Sequence, residues 1–278
     1  VVNVLLFLAS LALAQHTPNA LRIAVVGDTG KGAATVARGI ERLHARAPFD
    51  AILVTGDTFY PCGVSSPADP RWSLVKPLTT IGAPILPVLG NHDYCGASKL
   101  DAQIGAPLAH WQFPAREYTA NSPLADFVMI DTTPLALGRS RTSFDTIRNG
   151  FAASRAHWRI VVGHHSIVSS GWHGRFPQRE HAQMLTLLDP MRAANVDLYV
   201  CGHDHHLELV DTRPRMLVSG AGSQPIPAIA RRPKTLFPDE PMRTIGFAVL
   251  ELTEKTMSIR FYDANGDPLS RTFTFTKE

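Results

Sequence analysis

Cysteine is scarce in this chain: three residues, Cys62, Cys95 and Cys201, cannot all pair with one another. Long runs of Lys or Arg are absent. The formal net charge of +3 suits an anionic ligand but falls short of the footprint of a dedicated nucleic-acid binder, so no nucleic-acid partner is expected. No low-complexity tract and no internal repeat interrupts the 278 residues, which fit one large domain or two small ones. A Gly-x-Ser-x-Gly elbow is missing, which removes the simplest serine-hydrolase reading. What is present is a hydrophobic fraction of 45%, ordinary for a globular protein with a real core.

Residues 1–14 read VVNVLLFLASLALA and carry no charge. Their apolar centre is too short to cross a bilayer, which takes about 20 apolar residues. The stretch ends in Ala12-Leu13-Ala14, the small-x-small pattern of a signal-peptidase site. We read residues 1–14 as an export signal and residues 15–278 as one mature domain, periplasmic or extracellular. The competing reading is an N-terminal hydrophobic strand. Nothing in the pattern indicates an oligomeric state.

Several short β-branched runs stop abruptly at a glycine followed by polar residues. Leu21–Val26 leads to Gly27-Asp28-Thr29-Gly30, Ala51–Thr55 to Gly56-Asp57, and Ile85–Leu89 to Gly90-Asn91-His92-Asp93. Arg159–Val162 leads to Gly163-His164-His165, and Leu198–Cys201 to Gly202-His203-Asp204-His205. Runs of four to six apolar residues without clean alternation predict strands buried on both faces. Helical stripes fill the gaps, at Val36, Ile40, Leu43 and Ala47, and within Gln178–Ala194. After residue 206 strands and turns dominate: Arg215–Ser219, Gly246–Leu252, Thr256–Tyr262 and Arg271–Thr276, with Asn265-Gly266 as a hairpin signal. The fold class is therefore α/β, two mixed β-sheets packed face to face with flanking helices in a single domain.

In open α/β sheets, ligands sit beyond the carboxyl ends of the strands. Five such ends would bring together the carboxylates of Asp28 and Asp57, the amide of Asn91 and the imidazoles of His164, His203 and His205. Singly, each motif has a plain structural explanation: a Gly-Asp-x-Gly makes turns, and a His-x-His often binds nothing. Jointly they form an oxygen and nitrogen donor set suited to first-row transition metals. The donors suffice for two ions if one carboxylate bridges, the arrangement used in phosphoryl displacement. Convergence of the second and third motifs would also bring Cys62 and Cys95 together as a disulfide, while Cys201 closes an apolar run and should be buried.

These five motifs, with Tyr60 three residues after Asp57, resemble those of the purple acid phosphatases, small tartrate-resistant type, within the calcineurin-like metallophosphoesterase family. The likeness spans roughly residues 21–276, including Ser219-Gly220-Ala221-Gly222. It implies the two-sheet metallophosphoesterase sandwich, with Asp28, Asp57, Tyr60 and His205 on a first metal. Asn91, His164 and His203 would then hold a second metal, with Asp57 bridging. A phenolate ligand near neutral pH calls for a strongly acidic metal, so Fe(III) is expected in the first site and divalent Fe, Zn or Mn in the second.

The expected reaction is acid hydrolysis of a small phosphate monoester by in-line attack of a metal-bound hydroxide. His92 and His173 are the candidates for protonating the leaving group, and a need for protonated His173 would give an acidic optimum. His165 and His206 are expected to line the pocket or support the ligands. Residues Thr132–Gly150, with Arg139 and Arg141, are expected to form a loop near the mouth of the site. Arg231, Arg232 and Lys234 are read as solvated. Two rival readings stand beside this one: a Mn- or Zn-type phosphodiesterase, against which Tyr60 argues, and a non-catalytic binding protein on the same fold, against which the complete donor set argues.

Overall fold

Alternate residues of the central strands enter two different cores, and this sorting organises the whole molecule. A computed structural model describes residues 9–13, 19–96, 98–174, 179–226, 234–237 and 244–277. One mixed sheet has the order β1-β5-β6-β7-β8-β10-β9-β11. Its strands are β1 (Ala9–Ala12), β5 (Tyr118–Asn121), β6 (Ala125–Met129), β7 (Trp158–Val162), β8 (Leu198–Cys201), β9 (Leu207–Val210), β10 (Arg215–Ser219) and β11 (Thr235–Phe237). The other has the order β14-β13-β12-β2-β3-β4. It comprises β2 (Leu21–Val26), β3 (Ala51–Val54), β4 (Ile85–Pro87), β12 (Gly246–Leu252), β13 (Thr256–Asp263) and β14 (Phe273–Thr276).

Phe127, Met129, Ile160, Val162, Leu198 and Val200 face the core shared by the two sheets. Their neighbours Val128, Ile130, Val161, Tyr199 and Cys201 face a second core. That period of two is the pleat, and apolar residues on both phases explain the continuous apolar runs in the sequence. The second core is closed by the helices α3 (Thr133–Ala136), α4 (Thr142–Phe151), α5 (Arg179–Leu185) and α6 (Leu188–Ala193) through Leu135, Ile147, Phe151, Met184 and Met191. On the other sheet, α1 (Ala33–Arg46) buries Val36, Ile40 and Leu43, and α2 (Lys76–Thr79) lies beside it. Each such aliphatic side chain contributes about 1.5–3 kcal/mol of burial.

The expected strands are present nearly residue for residue, and β13 pairs antiparallel with β14 across the Asn265-Gly266 turn. Two readings need correction. The Gln178–Ala194 stripe is two helices, α5 and α6, separated by Thr186 and Leu187, with Gln178 outside the described residues. The expected loop Thr132–Gly150 is largely helical: α3 and α4 cover the second core because Leu135, Ile147 and Phe151 supply an apolar face that a loop reading overlooks. Arg141 lies over the Phe144 ring at 5.5 Å within that segment. Arg231 and Arg232 fall outside the described residues. Of the fourteen leading residues, Ala9–Ala12 form β1, the edge strand parallel to β5, followed by the buried Leu13; residues 1–8 and 14 lie outside the described ones. Among the described residues, no helix is long and apolar enough to cross a membrane.

Candidate metal centre

The site forms on the seam where both sheets end. Asp28 follows β2, Asp57 follows β3 and Asn91 follows β4, all from one sheet; His164 follows β7, and His203 and His205 join β8 to β9 in the other. Backbone bonds lock the seam: Gly27 N–H donates to Ser219 O at 2.8 Å and Gly222 N–H to Gly27 O at 3.1 Å.

Asp28, Asp57 and His203 adopt φ values of +56°, +49° and +67°, a left-handed conformation that ordinary side chains seldom take. Such strain persists where surrounding structure over-determines it, and it collects at functional sites. Two glycines let the loops close on the carboxylates. A Cβ on Gly90 would lie 2.1 Å from Asp57 Oδ1, and one on Gly202 would lie 2.3 Å from Asp28 Oδ2.

Two sets of donor atoms result. In the first, the Tyr60 hydroxyl lies 3.2 Å from Asp28 Oδ1, 3.2 Å from Asp57 Oδ2 and 3.1 Å from His205 Nε2. In the second, His164 Nε2 lies 3.0 Å from Asn91 Oδ1, 3.3 Å from Asp57 Oδ2 and 3.1 Å from His203 Nδ1. Asp57 Oδ2 belongs to both. With metal–ligand bonds of ~2.1 Å, neighbouring ligands on an octahedral or tetrahedral ion stand about 3.0–3.4 Å apart. The observed spacings fall in that range, and the donors are the oxygen and imidazole types that transition metals take, so the residues fit a pair of ions. Asp57, His164 and His203 present ligand atoms within 4.8 Å of one another, all buried.

The remaining atoms of these side chains are held from behind. Asp57 Oδ1 accepts the His92 backbone N–H at 2.9 Å, and Asp28 Oδ2 accepts that of His203 at 3.0 Å. His164 Nδ1 lies 2.8 Å from Thr55 O and His205 Nδ1 lies 3.0 Å from Gln224 O. Such carbonyl contacts select the tautomer whose other nitrogen is bare.

Charge accumulates accordingly. Burial opposes ionisation of Asp57, but His164, His92 and His203 outweigh it and hold the carboxyl well below its usual range. Burial likewise opposes charge on His164, yet Asp57 and Asp28 push it up to about 10. Burial and the Asp28 and Asp57 carboxylates push the Tyr60 hydroxyl far upward; only a strongly Lewis-acidic cation among these groups could draw off its proton.

His92 lies against Tyr60 of the first donor set and His173 against His203 of the second. The His92 ring leans on Tyr60 with centroids 4.5 Å apart, and its Nε2 lies 3.9 Å from Asp57 Oδ2. The His173 ring lies on His203 at 3.8 Å, and its backbone N–H donates to Asp204 Oδ1 at 3.0 Å. His165 and His206 are buried. His165 Nδ1 meets Thr132 Oγ1 at 2.8 Å, and His206 Nε2 meets Glu208 Oε2 at 2.9 Å. Cys62 and Cys95 form a disulfide between the second and third loops, and Cys201 is buried.

Sequence reasoning missed three carboxylates. Asp204 and Glu208 receive Ser169, Ser170, His173 and Gly174 and so anchor the loop that carries His173. Glu180 reaches both His203 and His173. Asp204 lies inside a recognised motif, but an acidic residue at the start of a helix has no signal of its own.

The profile of the calcineurin-like phosphoesterase family matches residues 21–207. Purple acid phosphatase 4 of Arabidopsis thaliana is 30% identical, covering 95% of this chain and 87% of its own. Tartrate-resistant acid phosphatase type 5 of Rattus norvegicus is 27% identical, covering 96% and 94%. Among solved structures, Plasmodium GAP50, described as the anchor in the inner membrane complex, superposes with a TM-score of 0.77 at 24% identity, covering 94% of this chain and 90% of that one. A dimetal phosphatase from Danio rerio superposes with a TM-score of 0.58 at 13% identity, covering 93% and 99%.

Proposed function

Because the chain belongs to the calcineurin-like phosphoesterase family, and within it to the purple acid phosphatases, we propose that this dinuclear-metal phosphatase is an exported acid phosphatase acting on phosphate monoesters. The observation that carries the reading is the sharing of Asp57 Oδ2 between two donor sets, 3.2 Å from Tyr60 and 3.3 Å from His164. Asp28, Asp57, Tyr60 and His205 would hold the first ion and Asn91, His164 and His203 the second. Fe(III) is proposed for the first because two carboxylates and a phenol meet there. Divalent Fe, Zn or Mn fits the second, where one carboxylate, one amide and two imidazoles meet.

When bound, the ions supply Lewis acidity that polarises the phosphoryl group and activates water below neutral pH. The chain's own part is placement and proton handling. The seam holds the donors rigidly, with little side-chain freedom left to lose. His92, beside Tyr60 and Asp57, and His173, beside His203, would be the residues that hold the proton the leaving oxygen needs. Export agrees with the Cys62–Cys95 disulfide, which an oxidising compartment preserves. Cleavage after Ala14 would remove the edge strand β1, half of whose residues are exposed, together with the buried Leu13.

The fold is shared by proteins described as a phosphatase and as an anchor, so fold alone does not choose between them. The filled donor set favours catalysis. The test is turnover of 4-nitrophenyl phosphate against bis(4-nitrophenyl) phosphate between pH 4 and 7, with bound metal quantified. The proposal expects kcat/KM for the monoester to be higher by about tenfold or more, ~1.4 kcal/mol in transition-state binding. A preference for the diester would replace it with the phosphodiesterase reading, and absence of both activities in metal-loaded protein with the binding-protein reading.

A further inference from the structure

Glu180 lies in the first turn of α5, where a surface helix would ordinarily point a carboxylate at solvent. Instead it turns inward. Its Oε1 lies 2.9 Å from His203 Nε2 and 3.3 Å from His173 Nδ1, and its side chain is 31% exposed. His203 therefore has both ring nitrogens engaged: Nδ1 faces His164 Nε2 at 3.1 Å in the second donor set, and Nε2 faces Glu180. A carboxylate can only accept, so Nε2 carries a proton, and in the neutral imidazole Nδ1 is then bare.

We propose that Glu180 is a positioning residue for the second metal site, fixing the tautomer and ring plane of His203. The inference rests on the reading of His203 as a ligand, and deepens it. The other ligating imidazoles receive a neutral backbone carbonyl behind them, from Thr55 for His164 and from Gln224 for His205. Only His203 among the three receives an anion, which makes its free nitrogen the more basic donor. The same oxygen also approaches His173 Nδ1 at 3.3 Å, so the carboxylate charge faces both imidazoles.

His165, Glu180 and His203 also bring ligand atoms within 4.8 Å of one another, which raises a third ion as a competing explanation. The geometry argues against it. His165 is already bonded through Nδ1 to Thr132 Oγ1, and His203, committed through Nδ1, would have to surrender its last ring proton.

The experiment compares wild type, Glu180→Gln and Glu180→Ala, each loaded with zinc in the second site, by the rate and equilibrium of zinc transfer to a colorimetric chelator. Gln retains an oxygen that accepts from His203 but removes the charge, so the two variants separate orientation from charge. Glu180→Ala is expected to lose roughly 10–100-fold in second-site affinity, with Glu180→Gln between it and wild type and first-site metal retained in all three. Thermal melts of the metal-free proteins identify any variant that is simply unfolded, and Glu180→Gln, nearly isosteric, then carries the test. Wild-type zinc affinity in folded Glu180→Ala overturns the proposal, as does loss of a third zinc equivalent. A wild-type protein that takes up no second zinc overturns the ligand reading and the proposal with it.

Discussion

Asp57 and His164 meet across the seam between the two sheets, carboxylate Oδ2 to imidazole Nε2 at 3.3 Å, with side chains 2% and 0% exposed. A buried pair of this kind is expensive to assemble and offers little net stability by itself. Its presence at a strained backbone position, φ +49° for Asp57, is explained if both atoms are to share a cation.

Replacing Asp57 with Asn should therefore remove more than a charge. Elemental analysis is expected to show both ions lost or weakly held, and turnover should fall by about 10³-fold or more, the scale of several kcal/mol of Lewis-acid assistance. Retention of two tightly bound ions would show that Asp57 is not the bridge.

Tyr60→Phe tests the identity of the first metal. The native protein should show a broad visible absorption band from phenolate-to-iron charge transfer, and the variant should lack it while remaining folded. A colourless native protein that contains metal but no iron would withdraw the Fe(III) assignment and leave Tyr60 as a packing partner of the His92 ring.

His173→Asn should depress turnover most on alkyl phosphates, whose leaving oxygens need a proton, and least on aryl phosphates with acidic phenols. General-acid assistance of about 10²–10⁴-fold is at stake on the poorest leaving groups. Equal losses across the series would assign His173 to binding.

Reduction or removal of the disulfide should be costly because Cys62 and Cys95 are 33 residues apart and tie the loops bearing Asp57, Tyr60 and Asn91. The chain-entropy relation puts its contribution at about 3–4 kcal/mol. The Cys62→Ala, Cys95→Ala double variant should show that loss in denaturant unfolding, along with faster release of metal.

Asp131 supplies a pH dependence away from the metals. It is buried beside Glu117 and bonded to the Tyr94 hydroxyl, and burial first, then the Glu117 charge, raise its carboxyl to about 6. The folded protein binds this proton more tightly than the unfolded chain does. Stability from this residue is thus undiminished below pH ~4 and falls as pH rises from about 4 to 6. A rise of ~2 pH units corresponds to about 3 kcal/mol at most. Asp131→Asn should flatten this part of the stability profile; an unchanged slope in urea titrations at pH 4, 5, 6 and 7 would contradict the assignment.

Strand ends and the donors that follow them are legible in the sequence alone. Abrupt passage from β-branched residues to Gly-Asp, Gly-Asn-His and Gly-His-x-His has a local cause, a buried strand ending in a tight turn, and local causes leave a local pattern. Strands β5 and β6 were less legible because they are short and set Thr, Asn and Asp among their apolar residues, and α4 because its apolar face is thin among polar residues. Packing of the two sheets is what lets Asp57 Oδ2 approach both donor sets, brings Glu180 to His203 and His173, and sets Asp204 and Glu208 against the loop before them. Those relationships join residues from different elements, some more than a hundred positions apart as with Asp57 and His164. They arise from how two sheets meet along a seam, which no periodicity within either one records.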